Sequence, residues 1–173
     1  MEQEVKDIII KYGRDILCSD TFLAAFDQSH HYKTTVGDHT LEVTAEAVKF
    51  CLRHNLTDEN TLSNVVTACL CHDMSLIGRE DKYSSNFETL RQHPGHSAEI
   101  YTDLTGEAEE RVLDAIHSHM FPLTRKIPKH REGWILTLAD KISASTDLLN
   151  IQSVAPEERE DLLKQAASQP DDR

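Results

Sequence analysis

The chain has no alternating apolar–polar run of the kind a half-buried strand needs, no internal repeat and no low-complexity segment. No apolar stretch approaches the roughly 20 residues that cross a bilayer as a helix. The opening residues, MEQEVKDIII, lack a cationic stretch followed by a long apolar run. No signal peptide is therefore expected, and the cytoplasm is the expected compartment. The four cysteines (Cys18, Cys51, Cys69, Cys71) show no Cys-x-x-Cys spacing, and three of them sit among apolar residues. Reduced, buried thiols are the expectation for those three. Positive charge is scarce as well: 18 Lys and Arg stand against 30 Asp and Glu, a formal net charge of −12. That balance argues against a nucleic-acid or anionic-membrane binding surface. It leaves room for a small anionic substrate, because a bound metal can reverse the sign of the local field.

What the sequence does have is helical periodicity. At 173 residues it fits one compact domain with a core of its own. Val5, Ile8, Ile9, Tyr12 and Ile16 form a first apolar stripe, and a second helix is expected over 20–28. A third follows Gly37, with Leu41, Val43, Ala45, Val48 and Leu52 as its apolar content. Thr57-Asp58-Glu59-Asn60 reads as a helix start, leading into Leu62, Val65, Val66, Cys69 and Leu70. Residues 78–94 read as a long polar connection, the sort of segment that often binds or covers a ligand. Helices are expected over 97–104 and 107–119, then a proline-containing loop, MFPLTRKIPKHR, then a helix over 133–150. Pro156 is placed to open a last helix ending near Ala167. The fold class is all-α, a helical bundle. The expected division is N-terminal helices over 1–29, a central domain over 30–150, and a C-terminal helix and tail over 151–173.

Ten histidines stand out in the composition. Imidazole is both a common metal ligand and a common general base, so their positions carry the interest. The strongest local signal is His72-Asp73, at the end of the apolar helix. Adjacent residues point about 100° apart on a helix, so at its end both can reach one centre. A neutral imidazole with a carboxylate suits a borderline or hard divalent cation. A lone His-Asp pair is equally compatible with a capped helix end. Asp140, beside Leu138 and Ala139, would be a costly buried charge unless paired or bound to metal.

Taken in order, His39 in GDHTLEV, His72-Asp73 in ACLCHDMSL and Asp140 in LTLADKIS resemble the pattern of the HD superfamily of metal-dependent phosphohydrolases. HPGHSAEIY is similar to a further segment of its dinuclear branch, and the register of that segment favours His93 over His96. Because Pro94-Gly95 allows a turn between them, His96 is the alternative. AIHSHMFPL is similar to a later segment and selects His119 rather than His117. The resemblance thus implies a metal set of His39, His72, Asp73, His93, His119 and Asp140, with Asp73 bridging two ions. The same arrangement is found in bacterial HD-type diadenosine tetraphosphatases. The chain also resembles small stand-alone HD hydrolases with an HMxPL segment and a following LADK helix. It departs from the branch that hydrolyses cyclic dinucleotides: Leu76 and Met120 stand where that branch has lysine and histidine, and no GYP segment follows.

The resemblance implies hydrolysis of a phosphomonoester or phosphoanhydride, with a nucleotide as the expected substrate class. Water activated by one or two divalent ions (Fe, Mn, Co, Zn, Ni or Mg) would be the nucleophile, with Asp73 as the catalytic carboxylate. A mononuclear nucleotidase using His39, His72, Asp73 and Asp140 is one rival, and a non-catalytic metal-binding sensor or scaffold is another. Arg125 and Arg131, in the one concentrated basic run, are candidates to gather phosphate, as are Arg79 and His31. The bland reading of each is a solvated loop residue. His30 shares the ambiguity of His31, Lys82 that of Arg79, and His54 and His130 read as surface residues. No nucleic-acid or membrane partner is expected.

Overall fold

Helix starts along this chain are written in its capping residues. Thr35, Asp58 and Ser85 each accept a hydrogen bond from the backbone N–H three residues on, which occupies donors that a helix leaves unpaired at its start. The computed structural model describes residues 1–29, 34–148 and 154–169. Over these it is all-α: α1 Gln3–Leu17, α2 Asp20–Leu23, α3 Val36–Arg53, α4 Glu59–Cys71, α5 Arg79–Lys82, α6 Asn86–Thr105, α7 Glu110–Ser118, α8 Arg131–Leu148 and α9 Pro156–Ser168. Short 3-10 turns cover Ala24–Phe26 and Met74–Leu76. Among the described residues no helix is long and apolar enough to cross a membrane.

Helix α3 packs against α1, α4 and α8, and α4 against α1, α7 and α8. Because α3 is covered on most sides, even its polar residues His39, Thr40, Glu42 and Thr44 are buried. Gly13 lets α1 approach α4 closely, since a Cβ there would lie 2.4 Å from Leu70 Cδ1. Helix α9 closes over α1 through the ion pair Lys6–Asp161 at 2.6 Å, and over α3 through Arg159–Asp38 at 2.7 Å. Cys51, Cys69 and Cys71 are buried free thiols, and Cys18 is exposed. Burial pushes the Cys51 thiol up to about 11 and raises those of Cys69 and Cys71 as well, so all three stay protonated at neutral pH.

Two expectations from periodicity need correction. The segment 20–28 is one helical turn followed by a 3-10 turn, not a continuous helix. The long polar connection over 78–94 shrinks to short links around α5, because α6 already begins at Asn86 and runs unbroken through Pro94. Its buried side is narrow (His93, Pro94, Ser97, Ala98 and Tyr101), so it lacks the broad apolar stripe that would have revealed it.

Candidate metal centre

Helix α4 delivers the central pair. His72 caps its C-terminus, and Asp73 follows at the entry to the 3-10 turn. Around them the fold gathers His39 from the first turns of α3, His93 from the middle of α6, His119 at the end of α7 and Asp140 from α8. All six are buried; the most exposed, Asp140, reaches only 7%. His96, three residues beyond His93, turns away and hydrogen-bonds the Tyr83 hydroxyl at 3.0 Å while stacking on its ring.

Three of the histidines are held in the same way. His72 Nδ1 donates to the Cys69 carbonyl at 2.7 Å, His93 Nδ1 to the Thr89 carbonyl at 2.7 Å, and His119 Nδ1 to the Ile116 carbonyl at 2.6 Å. A carbonyl can only accept, so each Nδ1 carries a proton, and each ring turns its Nε2 toward the centre. His39 Nε2 faces Asp140 Oδ1 at 3.2 Å. The two oxygens of Asp73 divide the cluster: Oδ2 lies 3.5 Å from His72 Nε2, whereas Oδ1 lies 3.4 Å from His93 Nε2 and 3.5 Å from His119 Nε2.

The donor atoms of His39, His72 and Asp140 lie within 4.8 Å of one another, as do those of His72, Asp73 and His119. The buried Nε2 of His72 makes no hydrogen bond. His93 Nε2 and His119 Nε2 face each other at 3.0 Å. Two lone pairs at that distance repel unless something positive lies between them. Both observations fit a divalent cation, and nitrogen and carboxylate donors suit the borderline metals.

Electrostatics agree. Burial lowers the His72 pKa to about 4, so its ring is neutral at physiological pH. For His93, burial works downward but is outweighed by contact with Asp73, which raises the ring above its ordinary value. Burial would likewise raise Asp140, yet the hydrogen bond from His39 and the nearby positive charge of Lys141 hold it far below the usual carboxylate range.

The cluster forms the floor of a cleft of about 510 Å³. Asp73, His93 and Asp140 line it from below; Leu76, Leu90, Met120, Leu123 and Ala144 give apolar wall; Arg79 and Lys141 supply positive charge. Arg79, a candidate to gather phosphate, is among the residues lining the cleft. Arg131 is not, and its guanidinium binds Asp58 at 3.1 Å and the Thr61 hydroxyl, at the start of α4. The fifteen residues from Asp58 to Asp73 put that end of α4 about 20 Å from the cluster. Arg125 is exposed and not among the residues lining the cleft. Lys82 is tied to the carbonyls of Ser75 and Ile77. His54 is exposed, and His130 is half-buried opposite Glu110. His30 and His31 lie outside the described residues.

Sequence reasoning missed three residues here. Lys141 follows directly on Asp140. Glu42 and Ser143 stand three residues after His39 and Asp140, a helical spacing that puts each on the same face as the residue it follows. Ser143 Oγ donates to Glu42 Oε2 at 3.3 Å and lies 3.5 Å from His39 Nδ1.

The family model of the HD domain matches residues 36–145 of this chain, a stretch that contains all six clustered residues. No curated protein and no solved structure matches it.

Proposed function

The chain belongs to the HD-domain family, and from that premise we propose that it is a metal-dependent phosphohydrolase acting on a phosphomonoester or phosphoanhydride of a nucleotide. His39, His72, Asp73, His93, His119 and Asp140 would hold one or two divalent ions. The observation that carries this reading is the set of three rings locked by Nδ1–carbonyl hydrogen bonds, with Nε2 turned toward the Asp73 carboxylate at the floor of an open cleft. Outer-shell locks of this kind fix ring orientation and tautomer for metal binding.

Bound divalent ions supply positive charge for phosphate oxygens and bring the pKa of water toward neutrality. The protein's own part is positioning and proton handling. Asp73 Oδ1, facing into the cluster, is the proposed acceptor for the proton of the attacking water as its oxygen bonds to phosphorus. As the ester or anhydride oxygen departs, Arg79 on the cleft wall is the proposed cation beside it. The apolar wall of Leu76, Leu90, Met120 and Leu123 suits the non-phosphate part of the substrate, and about 510 Å³ lies in the usual range for a small-molecule site.

A mononuclear centre is the second reading, favoured by one observation: His39, His72 and Asp140 make a complete triad without the other half of the cluster. Metal analysis of freshly purified protein distinguishes the two. Two ions per chain support the dinuclear centre and one supports the mononuclear one. Hydrolysis of p-nitrophenyl phosphate and of nucleoside phosphates by manganese-loaded protein tests the activity itself. Tight metal binding with no turnover of any phosphate ester would instead make the chain a metal-binding sensor or scaffold.

A further inference from the structure

A phosphate ester approaching this molecule meets a net charge of −12, so the cleft needs positive charge of its own close to the floor. The concentrated basic run after His119 does not supply it, since Arg131 is engaged at the far end of α4 and Arg125 stands outside the cleft lining. Of the lining residues, Arg79 and Lys141 carry the cations.

Lys141 has the more defined position. One turn of α8 puts Asp140 into the cluster, and the 100° step to the next residue brings Lys141 to the cleft wall. Its ammonium is pinned twice, to Asp140 Oδ2 at 2.5 Å and to the His119 carbonyl at 3.3 Å. These anchors belong to opposite halves of the cluster, so the ammonium spans both. An ammonium has three protons to donate. Two are taken by those anchors, and no partner among the described residues takes the third. The side chain is 36% exposed, which leaves the group reachable from solvent.

We propose that Lys141 is a phosphate-binding residue of the cleft, donating its remaining proton to an oxygen of the phosphoryl group as that group sits over the metal centre. This rests on the phosphohydrolase reading above. It makes Lys141, rather than the arginines of the 119–130 loop and its end, the principal protein cation for the phosphate, with Arg79 as the other cation of the cleft lining.

The test uses manganese-loaded full-length protein and inorganic phosphate as the probe. Calorimetry gives its dissociation constant, inhibition of p-nitrophenyl phosphate hydrolysis gives a second value, and metal content is measured on the same samples. Lys141→Gln should weaken phosphate about tenfold or more, the usual worth of a charge-assisted hydrogen bond, while retaining its metal. Lys141→Arg, which keeps the charge, should recover most of that affinity. Unchanged phosphate binding in Lys141→Gln overturns the proposal while leaving the phosphohydrolase reading intact. Loss of metal in parallel with phosphate also overturns it, by making Lys141 a support for Asp140 only. If Lys141→Gln folds poorly, Lys141→Arg decides: weakened phosphate binding in a folded, metal-replete arginine variant counts against the proposal. Wild-type protein that holds metal yet neither binds phosphate nor cleaves esters removes both readings together.

Discussion

His93 and His119 face each other through their Nε2 atoms at 3.0 Å, although each ring already donates its Nδ1 proton to a carbonyl of its own helix. Neither ring can turn to relieve that contact without breaking a buried hydrogen bond, which costs about 1–3 kcal/mol once a partner is left unsatisfied. The pair is therefore preorganised for a positive charge, either a shared proton or a metal ion. Asp73, beside His93, separately raises that ring above its ordinary value.

Asp73 touches both halves of the cluster, one oxygen toward His72 and the other toward His93 and His119. Asp73→Asn should reduce metal affinity by more than about 100-fold, beyond what removal of an outer-shell partner does. Activity should disappear with it. Metal content and ester hydrolysis measured together check this, and a fully active, metal-replete variant would sink the bridging role.

His93 and His96 separate cleanly. His93→Ala should cost the chain metal in the half of the cluster near His119, together with most of its turnover. His96→Ala should lose the hydrogen bond to Tyr83, about 1 kcal/mol of stability, together with the stacking on its ring, and keep its metal. Elemental analysis of the two variants gives the answer, and the reverse pattern would mean that His96 moves inward when metal is present.

Removing metal should destabilise the fold. Binding to the native state alone adds about 2.7 kcal/mol when free metal is a hundredfold above its dissociation constant. For a domain of this size that corresponds to about 5–10 °C in Tm. Calorimetry before and after exhaustive chelation measures it, and an unmoved Tm would argue against any tight site.

The helices α1, α3 and α4 were legible because their buried faces are broad and apolar, and the Pro at position 156 marks the start of α9. Helix α6 was not, since Pro94 reads as a break and the helix buries few large apolar residues. The six clustered side chains could be picked out from the order and context of their motifs. Their locking could not, because its partners are the main-chain carbonyls of Cys69, Thr89 and Ile116, whose direction no side-chain identity records. Arg131 misled for a different reason. It lies twelve residues past His119 in the chain, but α8 runs alongside α4 in the same direction, so Arg131 meets Asp58 while Asp140 meets His72. Lys141 escaped notice because a lysine on a helix ordinarily reads as solvated.

Glu42 offers the most discriminating test of how the centre is supported. It is fully buried on α3, and its carboxylate accepts from Ser143 Oγ at 3.3 Å and from the backbone N–H of Val154 at 3.4 Å. Ser143 in turn reaches His39 Nδ1. A buried carboxylate is expensive unless hydrogen-bonded, so its presence here needs a role, and orienting His39 toward Asp140 supplies one. Glu42→Ala would leave the Ser143 hydroxyl and the Val154 N–H without that acceptor, and should destabilise the fold by about 1–3 kcal/mol. It should also weaken metal binding by about 10–100-fold, as loss of outer-shell partners does. Glu42→Gln keeps the size and an acceptor oxygen, so stability should largely return. If metal affinity returns with it, the hydrogen bond does the orienting; if not, the negative charge does. Chemical denaturation and metal titration of both variants distinguish these outcomes. Wild-type metal affinity in a folded Glu42→Ala protein would show that His39 is held by Asp140 and packing alone.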